Sequence, residues 1–121
     1  LAIWERDTQR LFLARDRLGI KPLYLSRTDR RLRFASSLPA LLQGGDLDTS
    51  LDPQALNFYL NFHSVVPAPR TLVKGVEKLP PASWMQVDAD GNLSQGLWWQ
   101  LDYGPREDEL NLGFDDWRDR L

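Results

Sequence analysis

Short apolar runs, punctuated by polar turn formers, constrain this chain more than any other feature. Leu1 to Trp4 and Leu11 to Ala14 flank Glu5-Arg6-Asp7-Thr8-Gln9-Arg10, and Leu23 to Ser26 and Leu32 to Ala35 flank Arg27-Thr28-Asp29-Arg30. Runs this brief are too short for ordinary helices and read as strands joined by hairpins. The first quarter therefore predicts an antiparallel meander. Leu1, Ile3, Leu11 and Leu13 are expected on one face, and Ala2, Trp4, Phe12 and Ala14 on the other. Neither face is polar, which predicts strands covered on both sides. Between the hairpins, Gly19 supplies a flexible point and Pro22 holds Lys21 extended, so Arg15 to Lys21 is expected as a defined loop.

Helices are few and short. Ser37 before Leu38-Pro39-Ala40-Leu41-Leu42 is a cap followed by a first-turn proline, and Gly44-Gly45 ends the element. Asp52-Pro53 opens a second helix in which Leu56, Tyr59 and Leu60 share a face. Pro67 and Pro69 rule out regular structure from Ser64 to Thr71, a stretch expected to wrap over a neighbour. Ser83 to Val87 and Leu93 to Trp99 form a further hairpin across Asp90-Gly91-Asn92. From Asp102 to Gly113 the composition becomes linker-like, and Asp115 to Leu121 begins an acidic-first helix.

Bulk properties exclude several functions. A formal net charge of -2 gives no electrostatic reason to expect nucleic acid. No run approaches the roughly 18 apolar residues of a membrane span, and no signal-peptide pattern opens the chain, so a cytoplasmic location is expected. The absence of cysteine removes disulfides and thiolate metal sites, and a single histidine, His63, offers no imidazole pair. No metal site is expected.

Candidate chemistry is sparse. In the loop from Arg15 to Tyr24, Arg15, Arg17 or Lys21 could face an anionic ligand; the plainer reading has Arg15 and Asp16 holding a turn through hydrogen bonds and a salt bridge, with Tyr24 beneath. Arg27, Arg30, Arg31 and Arg33 make either a solvated surface or a phosphate or polyanion site, the solvated surface being favoured. His63 reads as a packed or capping residue. The acidic neighbours Glu107 with Asp108 and Asp115 with Asp116 suit linker and helix-start positions rather than paired acid and base roles. Ser36-Ser37 lacks a nucleophile-elbow glycine pattern, and Gly44-Gly45 lacks the lysine of a phosphate loop. Trp84, Trp98 and Trp99 suit core or interface packing better than a sugar or base platform.

The order of these phrases is more informative than any one of them. Arg15-Asp16-Arg17-Leu18-Gly19-Ile20-Lys21-Pro22-Leu23-Tyr24, Phe34-Ala35-Ser36, Leu51-Asp52-Pro53, Val66-Pro67-Ala68-Pro69-Arg70-Thr71, Gly75-Val76, Lys78-Leu79-Pro80-Pro81 and Trp98-Trp99 follow one another along the chain. This series resembles, nearly end to end, the later half of the glutaminase domain of asparagine synthetase-like glutamine amidotransferases. Ser37, Asp48-Thr49-Ser50 and Phe62-His63-Ser64-Val65-Val66-Pro67-Ala68-Pro69 are most similar to the N-acetylglutaminylglutamine amidotransferase branch.

The resemblance implies an α+β chain forming part of an Ntn-type four-layer αββα sandwich, incomplete here. Residues 1–101 would be the C-terminal half of a type 2 glutamine amidotransferase domain, and residues 102–121 a linker and the start of a synthetase-domain helix. The parent would be a glutamine-hydrolysing ligase using ATP and Mg to convert a carboxylate into an amide. Its nucleophile would be an amino-terminal cysteine, using its own amine as base. With no cysteine here, the resemblance assigns no catalytic or cofactor-binding residue to this chain, implies an inactive fragment, and makes the missing glutaminase half and the synthetase domain its partners. Two other readings stay open: a non-catalytic interaction domain on the same scaffold, and a β-lactam synthetase-like ligase.

Overall fold

The computed structural model describes residues 1–102 together with Gly104, Gly113, Asp115 and Asp116. Most of the linker expected at 102–113 and of the helix expected from Asp115, including Glu107 and Asp108, therefore lies outside the described residues. The rest is an α+β arrangement of two antiparallel sheets and two short helices, the architecture expected for part of the sandwich.

The first sheet joins β1 (Ala2–Glu5), β2 (Arg10–Ala14), β6 (Ser83–Val87) and β7 (Leu93–Leu97) in the order β1-β2-β6-β7. The second has β4 (Arg31–Ala35), β3 (Tyr24–Thr28) and the two-residue β5 (Glu77–Lys78) in the order β4-β3-β5. The two early hairpins form as expected but fall in different sheets, so the predicted single meander is not what the chain makes. The loop after Ala14 carries the chain across, and β2 takes β6 rather than β3 as its second neighbour.

Register corrects the expected faces. Ala2 lies opposite Leu13, Ile3 opposite Phe12, and Trp4 opposite Leu11. Directly opposed residues share a face, so Ala2, Trp4, Leu11 and Leu13 point one way while Ile3, Phe12 and Ala14 point the other. A four-residue turn sets even-numbered residues of β1 against odd-numbered residues of β2, and a slip of one position reverses a strand's faces. Double-sided cover also fails for β1. It is an edge strand, exposed along its whole length.

The core lies between the sheets. Leu13, Leu23, Leu25, Leu79 and Met85 form one buried cluster, with Leu11, Leu32 and Leu93 against it. Outside the second sheet, α1 (Leu38–Leu42) packs on β3 and β4 and buries Leu41. Ser37 caps it, its Oγ accepting from Ala40 N at 3.4 Å. Helix α2 (Pro53–Asn61) starts where Asp52 Oδ1 accepts from Gln54 N and Ala55 N at 2.8 and 3.1 Å. The expected apolar face of α2 is largely turned outward: Leu60 is 72% exposed and Tyr59 is exposed, whereas Ala55 is buried.

On the outer face of the first sheet, Phe12 stacks with Trp84 at 6.3 Å between ring centroids. The Trp84 indole lies over Gly96, where an added Cβ would sit 3.1 Å from Nε1. Among the described residues no helix packs on that sheet. The described layers therefore run helix, sheet, sheet.

Candidate functional site

The loop after β2 is built around one guanidinium. Arg15 donates from Nη1 to Leu79 O at 2.6 Å, from Nη2 to Gly19 O at 2.6 Å, and from Nε to Lys21 O at 3.1 Å. The planar fork of arginine can reach three carbonyls in divergent directions, which an ammonium cannot do with the same fixed geometry. Asp16 completes the turn. Its carboxylate accepts from Ile20 N at 2.8 Å and Lys21 N at 3.2 Å, and its main-chain carbonyl accepts from Gly19 N and Ala82 N. The Ile20 N–H is the main reason the Asp16 carboxyl lies below the ordinary aspartate range, with the Arg15 charge contributing less. The expected Arg15–Asp16 salt bridge is thus replaced by bonds from each side chain to backbone, because the turn offers carbonyls and amides at shorter range.

Gly19 has φ of +67°, and a Cβ there would meet Pro81 Cγ at 2.7 Å and Arg15 Cζ at 3.1 Å. Only glycine satisfies both the left-handed backbone and the close approach. The loop is in this way fastened to the Leu79-Pro80-Pro81 segment, far along the chain.

The tryptophan pair closes the assembly. The predicted strand to Trp99 ends at Leu97, and the two tryptophans leave the sheet. Trp98 N donates to Ala82 O at 2.9 Å, and Trp98 Nε1 donates to Arg15 O at 3.1 Å. Arg17 places its guanidinium carbon 5.7 and 5.8 Å from the rings of Trp98 and Trp99, within cation–π range. Beside it Leu18 and Ile20 stand 69% and 73% exposed, and Trp98 is 45% exposed. The loop, the Leu79-Pro80-Pro81 segment and the tryptophan pair thus form one buttress with a cationic and apolar outer surface. It contains no nucleophile and no paired acid and base.

The remaining candidates are dispersed. Lys21 is exposed on the loop. His63 is exposed with φ of 48° at the end of α2. Ser37 is spent on its cap, and Gly45 ends α1 with φ of +63°. Asp116 accepts from Gly113 N at 2.9 Å. Arg31 and Arg33 gather around Asp46. Lys78, which the sequence offered only as part of the Lys78-Leu79-Pro80-Pro81 phrase, donates from Nζ to Val66 O at 2.5 Å, and burial, with the nearby Arg15 charge, lowers its pKa. An open cavity of about 460 Å³ lies at the end of the core, where Arg27, Glu77 and Lys78 meet Leu25, Leu32 and Met85.

Residues 1–99 match the family described as glutamine amidotransferase domain, and the chain belongs to that family. It is 33% identical over 107 residues to asparagine synthetase [glutamine-hydrolyzing] 1 of Bacillus subtilis, covering 88% of this chain and 17% of that protein. To asparagine synthetase [glutamine-hydrolyzing] 3 of the same organism it is 27% identical over 110 residues, covering 91% of this chain and 18% of the relative. It is also similar to amidase chyE of Penicillium rubens, at 30% identity over 101 residues, with 84% of this chain and 14% of the relative covered. The chain therefore spans about a sixth of the length of these curated relatives.

Proposed function

We propose that this chain is a supporting wall of a glutamine-hydrolysing, ATP-dependent amidotransferase that converts a carboxylate into an amide with ammonia taken from glutamine. The observation that carries this reading is the likeness across 88% of the chain to a glutamine-hydrolysing asparagine synthetase. In this reading residues 1–101 are the later half of the glutaminase domain. Residues 102–121 lead toward a synthetase domain that binds ATP and Mg.

The thiol that attacks the glutamine amide comes from outside these 121 residues, since they contain no cysteine. Attack on the amide carbon breaks the C–N bond, releases ammonia and leaves a thioester for water to hydrolyse. Ammonia must then reach the acceptor unprotonated, because ammonium has no free electron pair. The task of this chain is to hold the sheets in place and to present the buttress to its neighbour. The exposed Arg17, Leu18, Ile20 and Trp98 suit that contact, being apolar and aromatic with one arginine.

For the acceptor we infer the terminal carboxylate of N-acetylglutaminylglutamine, on the wording around Ser37 and from Phe62 to Pro69. Incubating the full-length gene product with glutamine, Mg-ATP and either aspartate or the acylated dipeptide tests both levels. Amide formed on the dipeptide alone supports the whole reading, and amide formed on aspartate alone overturns the inferred acceptor. If glutamine yields amide on neither acceptor, the amidotransferase reading itself fails.

A further inference from the structure

The arginine cluster of the β3–β4 hairpin plays no part in the buttress. Arg31 and Arg33 rise on the outer face of β4, opposite Thr28 and Ser26 of β3. With Arg30 from the turn, and Asp46 and Leu47 from the segment after α1, they line a cleft of about 230 Å³. Both guanidinium groups address one oxygen, Asp46 Oδ2, each at 3.7 Å, which is beyond hydrogen-bonding distance. Arg33 is held in place, its side chain 17% exposed and its Nη1 donating to Gly45 O.

A second observation points into the same cleft. Ser26 is 5% exposed and lines it, and its hydroxyl has no hydrogen-bond partner among the described residues. No fully enclosed side-chain polar atom is left unsatisfied there, so this hydroxyl opens onto the cleft. The lining carries three arginines, Arg30, Arg31 and Arg33, against one carboxylate, Asp46, a formal excess of two positive charges. Asp46 supplies one negative charge at 3.7 Å from each of two guanidinium groups, which leaves the repulsion among the arginines only partly offset.

We propose that this cleft binds a tetrahedral dianion of the phosphate class, either free or as the terminal phosphoryl group of a small ligand. Two negative charges match the local excess. Oxygens in tetrahedral array would accept from Arg31, Arg33 and Ser26 at once, whereas Asp46 reaches neither guanidinium closely enough to satisfy it. Charge-assisted bonds of this kind are the strong ones, and arginine forks suit phosphate oxygens.

Calorimetric titration of the full-length gene product with inorganic phosphate, pyrophosphate and adenosine monophosphate tests this. Saturable binding is expected for at least one of them, and the ligand whose binding both Arg31→Gln and Ser26→Ala weaken identifies the source. Arg31→Gln, at a side chain 60% exposed and so dispensable for folding, is expected to weaken it about tenfold. Ser26→Ala is expected to weaken it about threefold with an unchanged melting temperature. Absence of saturable binding up to about 10 mM of all three would overturn the proposal. So would binding that Arg31→Gln and Ser26→Ala leave unaltered, since it would lie elsewhere in the protein.

Discussion

The indole Nε1 of Trp98 donates to the carbonyl oxygen of Arg15 at 3.1 Å, joining residues 83 positions apart. The carbonyl belongs to the residue whose side chain holds the loop, so the tryptophan pair and the loop stand or fall together. If this joint is the structural purpose of the Arg15 fork, lysine will not replace arginine. Arg15→Lys in the full-length protein is expected to cost about 1.5–3 kcal/mol, through loss of charge-assisted bonds to carbonyls. Urea denaturation checks this, and a red shift of tryptophan emission should accompany it as Trp98 loses its anchor.

Two glycines at positive φ provide a matched pair. Gly19→Ala must accommodate both the left-handed backbone and the contact with Pro81 Cγ, whereas Gly91→Ala, at φ of +84° with open space around it, faces only the backbone term. The expected costs are more than about 2 kcal/mol at Gly19 and about 1 kcal/mol at Gly91. Equal costs from chemical denaturation would contradict the fastening of the loop to the Pro81 segment.

The outer face of the first sheet makes a third prediction. Gly96→Val would drive a branched side chain into the Trp84 indole, already 3.1 to 3.3 Å from an added Cβ, and is expected to cost about 1–3 kcal/mol. Gly96→Val paired with Trp84→Leu should recover part of that loss, because the smaller side chain leaves the valine room. A double-mutant cycle measures the coupling, and strict additivity would contradict the packing described.

Acid sensitivity follows from the turn and cap carboxylates. Asp16 is lowered chiefly by the Ile20 N–H, Asp52 by the Ala55 N–H, and Asp88 by the Asn92 side chain. A carboxylate depressed in the folded state stabilises that state above the unfolded pKa, and the contribution disappears as pH falls through the folded value. Thermal melts should therefore hold steady down to about pH 4 and fall steadily below it. Asp52→Asn keeps a good cap, since asparagine also accepts at this position, but does not titrate. It should flatten the acid limb, and an unchanged limb would show that the α2 cap is not part of it.

What the sequence revealed was local. The caps at Ser37 and Asp52, the hairpin turns and the irregular proline segment all depend on residues close together in the chain, and each formed where expected. What it concealed was long-range. Nothing near Ala14 indicates that β2 will pair with β6, and the faces of β1 and β2 turned on a turn length that composition does not fix. The orientation of α2 was hidden for a related reason: its buried residue is the small Ala55, which hydrophobic spacing undervalues beside Leu56, Tyr59 and Leu60. The buttress lay between. Its three phrases were visible separately, but their meeting through backbone carbonyls leaves no trace in side-chain pattern.

Thiol dependence of glutamine use by the full-length protein tests the central claim most directly. Because these residues contain no cysteine, brief treatment with iodoacetamide under thiol-selective conditions alkylates a thiol supplied only from elsewhere. The predicted result is that glutamine-dependent amide formation is abolished by alkylation, while amide formation from added ammonium and Mg-ATP survives. Glutamine hydrolysis that persists in full after alkylation, or that these 121 residues carry out unaided, would contradict it.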